Sequence, residues 1–416
     1  MTMPEASPQA IHFDQVRLPE PAQALRREVR AFLADESAAG TFDPRRAATL
    51  GAYHPGFSRK VGARGWIGMT WPRRYGGGER SFLERYVVTE EFRVANAPVG
   101  LHFTADRQSG PILLRHASER IKADILPRIT RGECCFCIGM SEPGSGSDLF
   151  AAQTRATRCD GGWRVTGTKV WTTAAHRADY MIGLFRTSPR TAQDRRHGLT
   201  QFLVDLRGPG IAISPISDMS GRREFDEVVF DDAFVPEDHV LGEIDGAWQQ
   251  ATSELAYERS GPERFLETSY LLFELVRVLG PQPDVRGAEG LGRLVAQLHT
   301  LRRMSVSVAG MLEAGQEPTL EGSIVKDLGT TWQQTLAPRA RDLTAFLPER
   351  SEAGGGDPDG SAGGAGGSAP RGIDTEAREV FDALLDHATL AAPKLTIQGG
   401  TTEILRGIIA RGLGLR

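Results

Sequence analysis

An α+β chain is predicted, helical at both ends with a compact β-barrel-like unit between, on three observations. Apolar residues recur at three- and four-residue spacing from Pro21 to about Arg131. From about Cys134 to Asp232 the period changes to two. After Val240-Leu-Gly-Glu243 the helical period returns and holds to the C-terminus. The switches divide the 416 residues into an N-terminal helical domain (1–133), a middle β domain (134–243) and a C-terminal helical bundle (244–416). A chain of this length can bury more than one core.

The first helix is read from Gln23 to Leu33, where Leu25, Val29, Phe32 and Leu33 form one stripe. Phe82 to Ala95 and Ile112 to Ile129 repeat the pattern, and Gly65 to Gly78 between them is a loop whose aromatic residues are expected to be buried. An Asp160-Gly161 turn ahead of Gly162 to Trp171 signals a hairpin. Met181–Phe185, Thr200–Val204, Ile211–Ile216 and Val228–Phe230 read as further short strands. In the C-terminal region Trp248, Ala251, Leu255, Glu258, Phe265 and Leu272 fall on one helical stripe. Pro262 cannot donate to the Glu258 carbonyl, so a kink is expected there. The glycine-rich stretch 353–372 is expected to be a flexible insertion between two helices.

Composition removes several classes. A net charge of −4 gives no basic field for nucleic acid. No apolar run reaches the roughly 18 residues of a membrane span, and Met1 to Ala10 has no secretory pattern, so a cytoplasmic protein is expected. Cys134, Cys135, Cys137 and Cys159 lack metal-ligand spacing and read as reduced thiols, the first three in a buried strand.

The chemistry concentrates in Cys137-Ile-Gly-Met-Ser-Glu-Pro-Gly-Ser-Gly-Ser-Asp148 and Gly167-Thr-Lys-Val-Trp-Thr-Thr173. Ser141, Gly144, Gly146 and Ser147 make a turn of small residues whose amides can approach an anion or ring edge. Trp171 and Thr173 add an aromatic wall and a hydroxyl, which is what a flavin requires. Together these stretches resemble the flavin-binding signature of the acyl-CoA dehydrogenase family, and the likeness extends from about residue 20 to 411. The resemblance implies an acyl-CoA dehydrogenase-like fold, FAD as cofactor, an acyl-CoA substrate and an electron-transferring flavoprotein as acceptor. It implies that Ile138, Met140 and Ser141 meet the flavin pyrimidine edge, Ser147 the flavin or CoA, and Trp171 with Thr173 the ring near N5. Thr401 and Glu403, in Gly399-Gly-Thr-Thr-Glu-Ile-Leu-Arg406, occupy positions that usually contact FAD.

Two motifs that grip the adenine half of FAD in the family are missing, around Val278 to Arg286 and around Ala383 to Ala392. Their absence opens the alternative of a non-catalytic or half-site partner subunit in a hetero-oligomer, beside the homo-oligomer. An acyl-CoA oxidase, with oxygen as acceptor, is a further alternative.

Family chemistry is α,β-desaturation: a carboxylate takes the α-proton of the thioester while the β-hydrogen leaves as hydride to the flavin. Hydrogen bonds to the thioester oxygen are needed because that proton is weakly acidic. The usual base precedes the Gly-Thr of the C-terminal motif, and that position here is Gly399, whose N–H remains available to the oxygen. Relatives of the long-chain and isovaleryl types carry the base on the first long C-terminal helix instead. Leu255-Ala-Tyr-Glu-Arg-Ser260 stands at the matching place, which makes Glu258 the candidate base. Glu258 interrupts an apolar stripe, where a carboxylate is costly unless employed. Its i±3 and i±4 neighbours, Glu254, Leu255, Gly261 and Pro262, offer no ion pair.

Overall fold

The structure, a computed structural model, describes residues 10–46, 52–190, 194, 196–247, 250, 259–345, 347 and 375–415. Trp248, Ala251, Leu255, Glu258 and the 353–372 stretch lie outside these residues.

Helix α1 (Glu20–Ala38) buries Leu25, Val29, Phe32 and Leu33, the stripe read from the sequence. After α2 (Pro55–Ala63) the chain crosses the aromatic loop, where Trp66, Trp71 and Tyr75 are buried. Ser81 and Glu84 form a reciprocal capping box that starts α3 (Phe82–Val94). A short α4 (Gly100–Thr104) runs into a π-turn (Ala105–Ser109). The single helix expected over Ile112–Ile129 is instead two, α5 (Gly110–His116) and α6 (Glu119–Thr130). The break falls where extended Ala117 leads to Ser118, whose hydroxyl caps α6 by accepting from the Ile121 amide. A Ser cap overrides apolar periodicity because it satisfies an otherwise orphaned amide.

The middle region is an eight-stranded sheet ordered β6-β7-β3-β2-β4-β5-β8, with β1 parallel to β4. Its strands are β1 (Phe136–Gly139), β2 (Arg155–Cys159), β3 (Gly162–Thr173), β4 (Tyr180–Arg186), β5 (Leu199–Asp205), β6 (Ile211–Ile216), β7 (Phe225–Pro236) and β8 (Val240–Leu241). The hairpin at Asp160-Gly161 pairs β2 with β3 antiparallel. Strand β7 is much longer than the Val228–Phe230 core legible from alternation. Cys134 and Cys135 lead into β1 and Cys137 lies within it, all three buried and unpaired by any disulfide.

Beyond the sheet come α7 (Glu263–Leu266), α8 (Ser269–Leu279), α9 (Val285–Glu313), α10 (Thr319–Thr344), α11 (Thr375–Leu395) and α12 (Thr402–Gly412). Pro262 does more than kink a helix: it opens α7, and a second start at Ser269 separates Phe265 from Leu272. Both residues are buried in the C-terminal core. The N-terminal core includes Ile182, Leu203 and Leu241 of the sheet, so helices and sheet share it. Arg302 of α9 donates twice to Glu90 of α3, joining the two helical regions. No helix among the described residues is long and apolar enough to cross a membrane.

His102 on α4 is buried against Ser58, with Nδ1 2.9 Å from its hydroxyl, and burial with Arg93 nearby holds its pKa down at about 3. A histidine depressed in the folded state costs stability as pH falls below its unfolded value of roughly 6.5. The loss from this one residue is expected to reach about 2 kcal/mol by pH 5. Denaturant melts at pH 7 and pH 5 measure it, and His102→Gln should flatten the difference.

Candidate active site

Strand β3 carries an irregularity at the point where the sequence pattern placed a flavin wall. Its register with β7 slips between Lys169 and Thr172. Trp171, inside the slip, has φ +59° and is 59% exposed. Bulges re-aim side chains, and a bulky residue at positive φ is strained unless its surroundings enforce it. The bulge turns Trp171 outward, with its ring edge-on to Phe225, while Thr172 is buried.

Two residues earlier, Lys169 is fully buried and its Nζ lies 2.7 Å from Glu142 Oε1. The same ammonium donates to the Met140 carbonyl at 3.2 Å. Glu142 also accepts from the Gln153 and Thr154 amides, at 2.6 and 3.0 Å. Burial pulls the lysine down to about 8 even though Glu142 favours its charge. Burial opposes ionisation of Glu142, yet Lys169 and the two amides overcome it and hold its pKa below the ordinary value. Sequence reasoning treated Glu142 only as part of a turn and missed the pair. The available signal was parity: Lys169 shares the strand face of buried Trp163 and Val165, so a partner was required.

This pair anchors the 137–148 loop. The Val170 amide donates to the Ser141 carbonyl at 3.0 Å, which brings Ser141 beside the Trp171 bulge. Glu142 and Ser145 exchange two backbone bonds, and the Ser145 hydroxyl donates to the Asp148 carbonyl. Ser147 and Gly146 are exposed, Ser141 and Met140 half-buried. Ile138 sits on β1, which pairs only with β4 among the described strands and so leaves one backbone edge free. Thr173, half-buried, ends β3 opposite Phe225.

The C-terminal turn between α11 and α12 holds Gly399 and Gly400 at φ +70° and +102°, two successive left-handed positions that glycine tolerates best. Lys326 of α10, 1% exposed, donates to the Leu395 and Gly400 carbonyls and fixes this turn. A Cβ placed on Gly400 would lie 3.4 Å from Arg259 Nη2, so the turn packs against the residue that follows Glu258 in the chain. Ser323, buried on α10, is 3.4 Å from Arg259 Nη1. Lys394, at the end of α11, bonds Glu224, whose carbonyl accepts from the Ala174 amide just past β3. Those links tie the C-terminal turn to the Trp171 strand.

Thr401 is the N-cap of α12, its hydroxyl accepting from the Ile404 amide at 3.4 Å. Glu403 is exposed in the first turn of α12, and its own amide with the Thr401 hydroxyl holds its carboxyl below the ordinary range. His176, in the short turn just past β3, is tied to buried Asp226, its Nδ1 2.9 Å from both carboxylate oxygens. Glu258 lies outside the described residues.

A flavin fits what is present. Trp171 offers a large exposed ring beside the loop, β1 has one backbone edge that no described strand pairs with, and nothing described lies within 4 Å of a Cβ built on Gly144 or Gly146. No group of three or more His, Cys, Asp or Glu able to hold a metal occurs among the described residues.

Comparison with known proteins agrees with this geometry. The profile described as acyl-CoA dehydrogenase, N-terminal domain, matches residues 19–133, and acyl-CoA dehydrogenase, middle domain, matches 137–233. Acyl-CoA dehydrogenase IpdE1 of Mycobacterium tuberculosis is 31% identical, over 94% of this chain and 97% of its own. Acyl-CoA dehydrogenase FadE34 of the same organism is 33% identical over 84% of this chain, which spans only 45% of its length. Among solved structures the Tcur3481-Tcur3483 steroid ACAD superposes with a TM-score of 0.77 at 26% identity, covering 96% of this chain and 98% of that one. The chain belongs to the acyl-CoA dehydrogenase family of FAD-dependent oxidoreductases.

Proposed function

We propose that the chain catalyses α,β-dehydrogenation of an acyl-CoA thioester, with Glu258 as base and an electron-transferring flavoprotein as acceptor. The observation supporting this most strongly is the packing of the Gly399-Gly400 turn against Arg259, the neighbour of Glu258. FAD, when bound, supplies the two-electron acceptor. Trp171 and Thr173 would cover and hydrogen-bond its ring, and Ile138, Met140, Ser141 and Ser147 would meet its polar edge. The Gly399 N–H would donate to the thioester oxygen, where negative charge grows as the α-proton leaves. Glu258 would receive that proton, its affinity for it raised once substrate excludes water. Thr401 and Glu403 would serve cofactor binding through the start of α12.

A second reading is favoured by the missing adenine-side motifs and by a structural relative whose name joins two chains. On it, this chain completes a site in a hetero-oligomer. The two readings separate on purification. A catalytic chain is expected to carry about one FAD per copy by its visible absorption, whereas a half-site partner should carry little until a related chain is added. Peroxide formation in air would mark oxygen as the acceptor.

A further inference from the structure

A cavity of about 60 Å³ lies between α3, α4, the π-turn and the segment from Ser260 to Glu263. A water needs roughly 10–15 Å³ by such a measure, so there is room for a small polar group with a few attached atoms. Phe92 and Phe103 contribute apolar wall, and Arg93, Arg107, His102 and Glu263 contribute polar atoms.

Arg93 is the unexplained member. It is 8% exposed, and its Nε and Nη2 are buried without a hydrogen-bond partner. Its guanidinium carbon stands 4.3 Å from the Phe103 ring centre, a contact that does not satisfy the Nε and Nη2 donors. The other charges along the described lining are matched: Arg85 lies 3.5 Å from Asp106, and Arg107 donates to Glu263 at 2.5 Å. His102, held neutral, accounts for no charge. Arg93 is therefore the cation of the described lining whose buried Nε and Nη2 meet no carboxylate by hydrogen bond, and a buried charge so placed is costly unless a ligand completes it. Burial lowers the Arg93 pKa from its ordinary value, and the pull of Glu267 and Glu263 the other way does not offset it. The π-turn supplies Asp106 and Arg107 to the wall; such irregular turns are frequent at functional sites.

We propose that this cavity is the distal end of the acyl cleft and that Arg93 pairs there with a carboxylate on the acyl group, so that the preferred substrates are CoA monothioesters of dicarboxylic acids. The inference rests on the dehydrogenase reading, because Ser260 to Glu263 follow Glu258 by two to five residues. Arg93 is a specificity residue in this account, and a guanidinium suits it because two parallel N–H groups match the two carboxylate oxygens.

Calorimetric titration of the flavin-loaded protein, with any partner chain that co-purifies, tests it. The probes are ω-carboxyacyl-CoA and methyl-terminated acyl-CoA thioesters of matched length. At one chain length the carboxylated thioester is expected to bind at least about tenfold more tightly. Arg93→Met should bring that preference to within about twofold by weakening binding of the carboxylated thioester, and Arg93→Lys should keep part of it. Equal or tighter binding of the methyl-terminated series at every length overturns the proposal, as does a preference that survives Arg93→Met. If Arg93→Met does not fold, the wild-type preference and its partial retention in Arg93→Lys decide the matter. Flavin bleaching by methyl-terminated thioesters with no carboxylate preference would remove this inference and leave the dehydrogenase reading standing. Bleaching by neither series would remove that reading itself.

Discussion

Replacing Glu258 by Gln is expected to leave FAD bound and to slow acyl-CoA-dependent flavin bleaching by about 10²–10⁴-fold. The amide keeps the size of the side chain and removes its capacity to take a proton. No substitute stands at the usual loop position, because residue 399 is a glycine held at φ +70°. Glu403 does not replace it either. It is exposed at the start of α12, where its own amide and Thr401 favour the ionised carboxylate toward solvent. Anaerobic mixing with an acyl-CoA, followed by the visible flavin band, gives the result directly. Bleaching at the wild-type rate would reject Glu258 as base.

The second large effect is structural. Lys169→Met leaves Glu142 ionised, 8% exposed and without its ammonium. Removing one partner of a buried pair costs on the order of 3–5 kcal/mol. Because Glu142 also anchors the Gln153 and Thr154 amides, flavin occupancy should fall together with stability. Adding Glu142→Gln to Lys169→Met should recover much of the loss, since the amide oxygen still accepts from a backbone N–H and carries no charge. Denaturant titration of the four species closes the cycle. If Lys169→Met lies within about 0.5 kcal/mol of wild type, the pair does not hold the loop.

Much of the fold was legible because periodicity and caps are local. Leu25, Val29, Phe32 and Leu33 gave α1, and the Asp160-Gly161 turn gave the β2–β3 hairpin. The split at Ser118 was also local, yet the apolar period ran through it and concealed the cap. Lys169 and Glu142 are 27 residues apart and meet only when β3 folds onto the 137–148 loop, so their pairing needed the sheet. Arg93 was invisible for the same reason. On a helical pattern it reads as a solvent-facing residue, and the packing of α3 against α4 and the segment from Ser260 to Glu263 encloses it. The Trp171 bulge was hidden because a register slip in β3 depends on its partner β7.

The most direct test of a helix-borne base is exchange at the substrate α-carbon. Flavin-loaded protein incubated with an acyl-CoA in deuterated buffer should place deuterium at that carbon, and Glu258→Gln should abolish the incorporation. Equal incorporation by both proteins would mean that another group removes the α-proton.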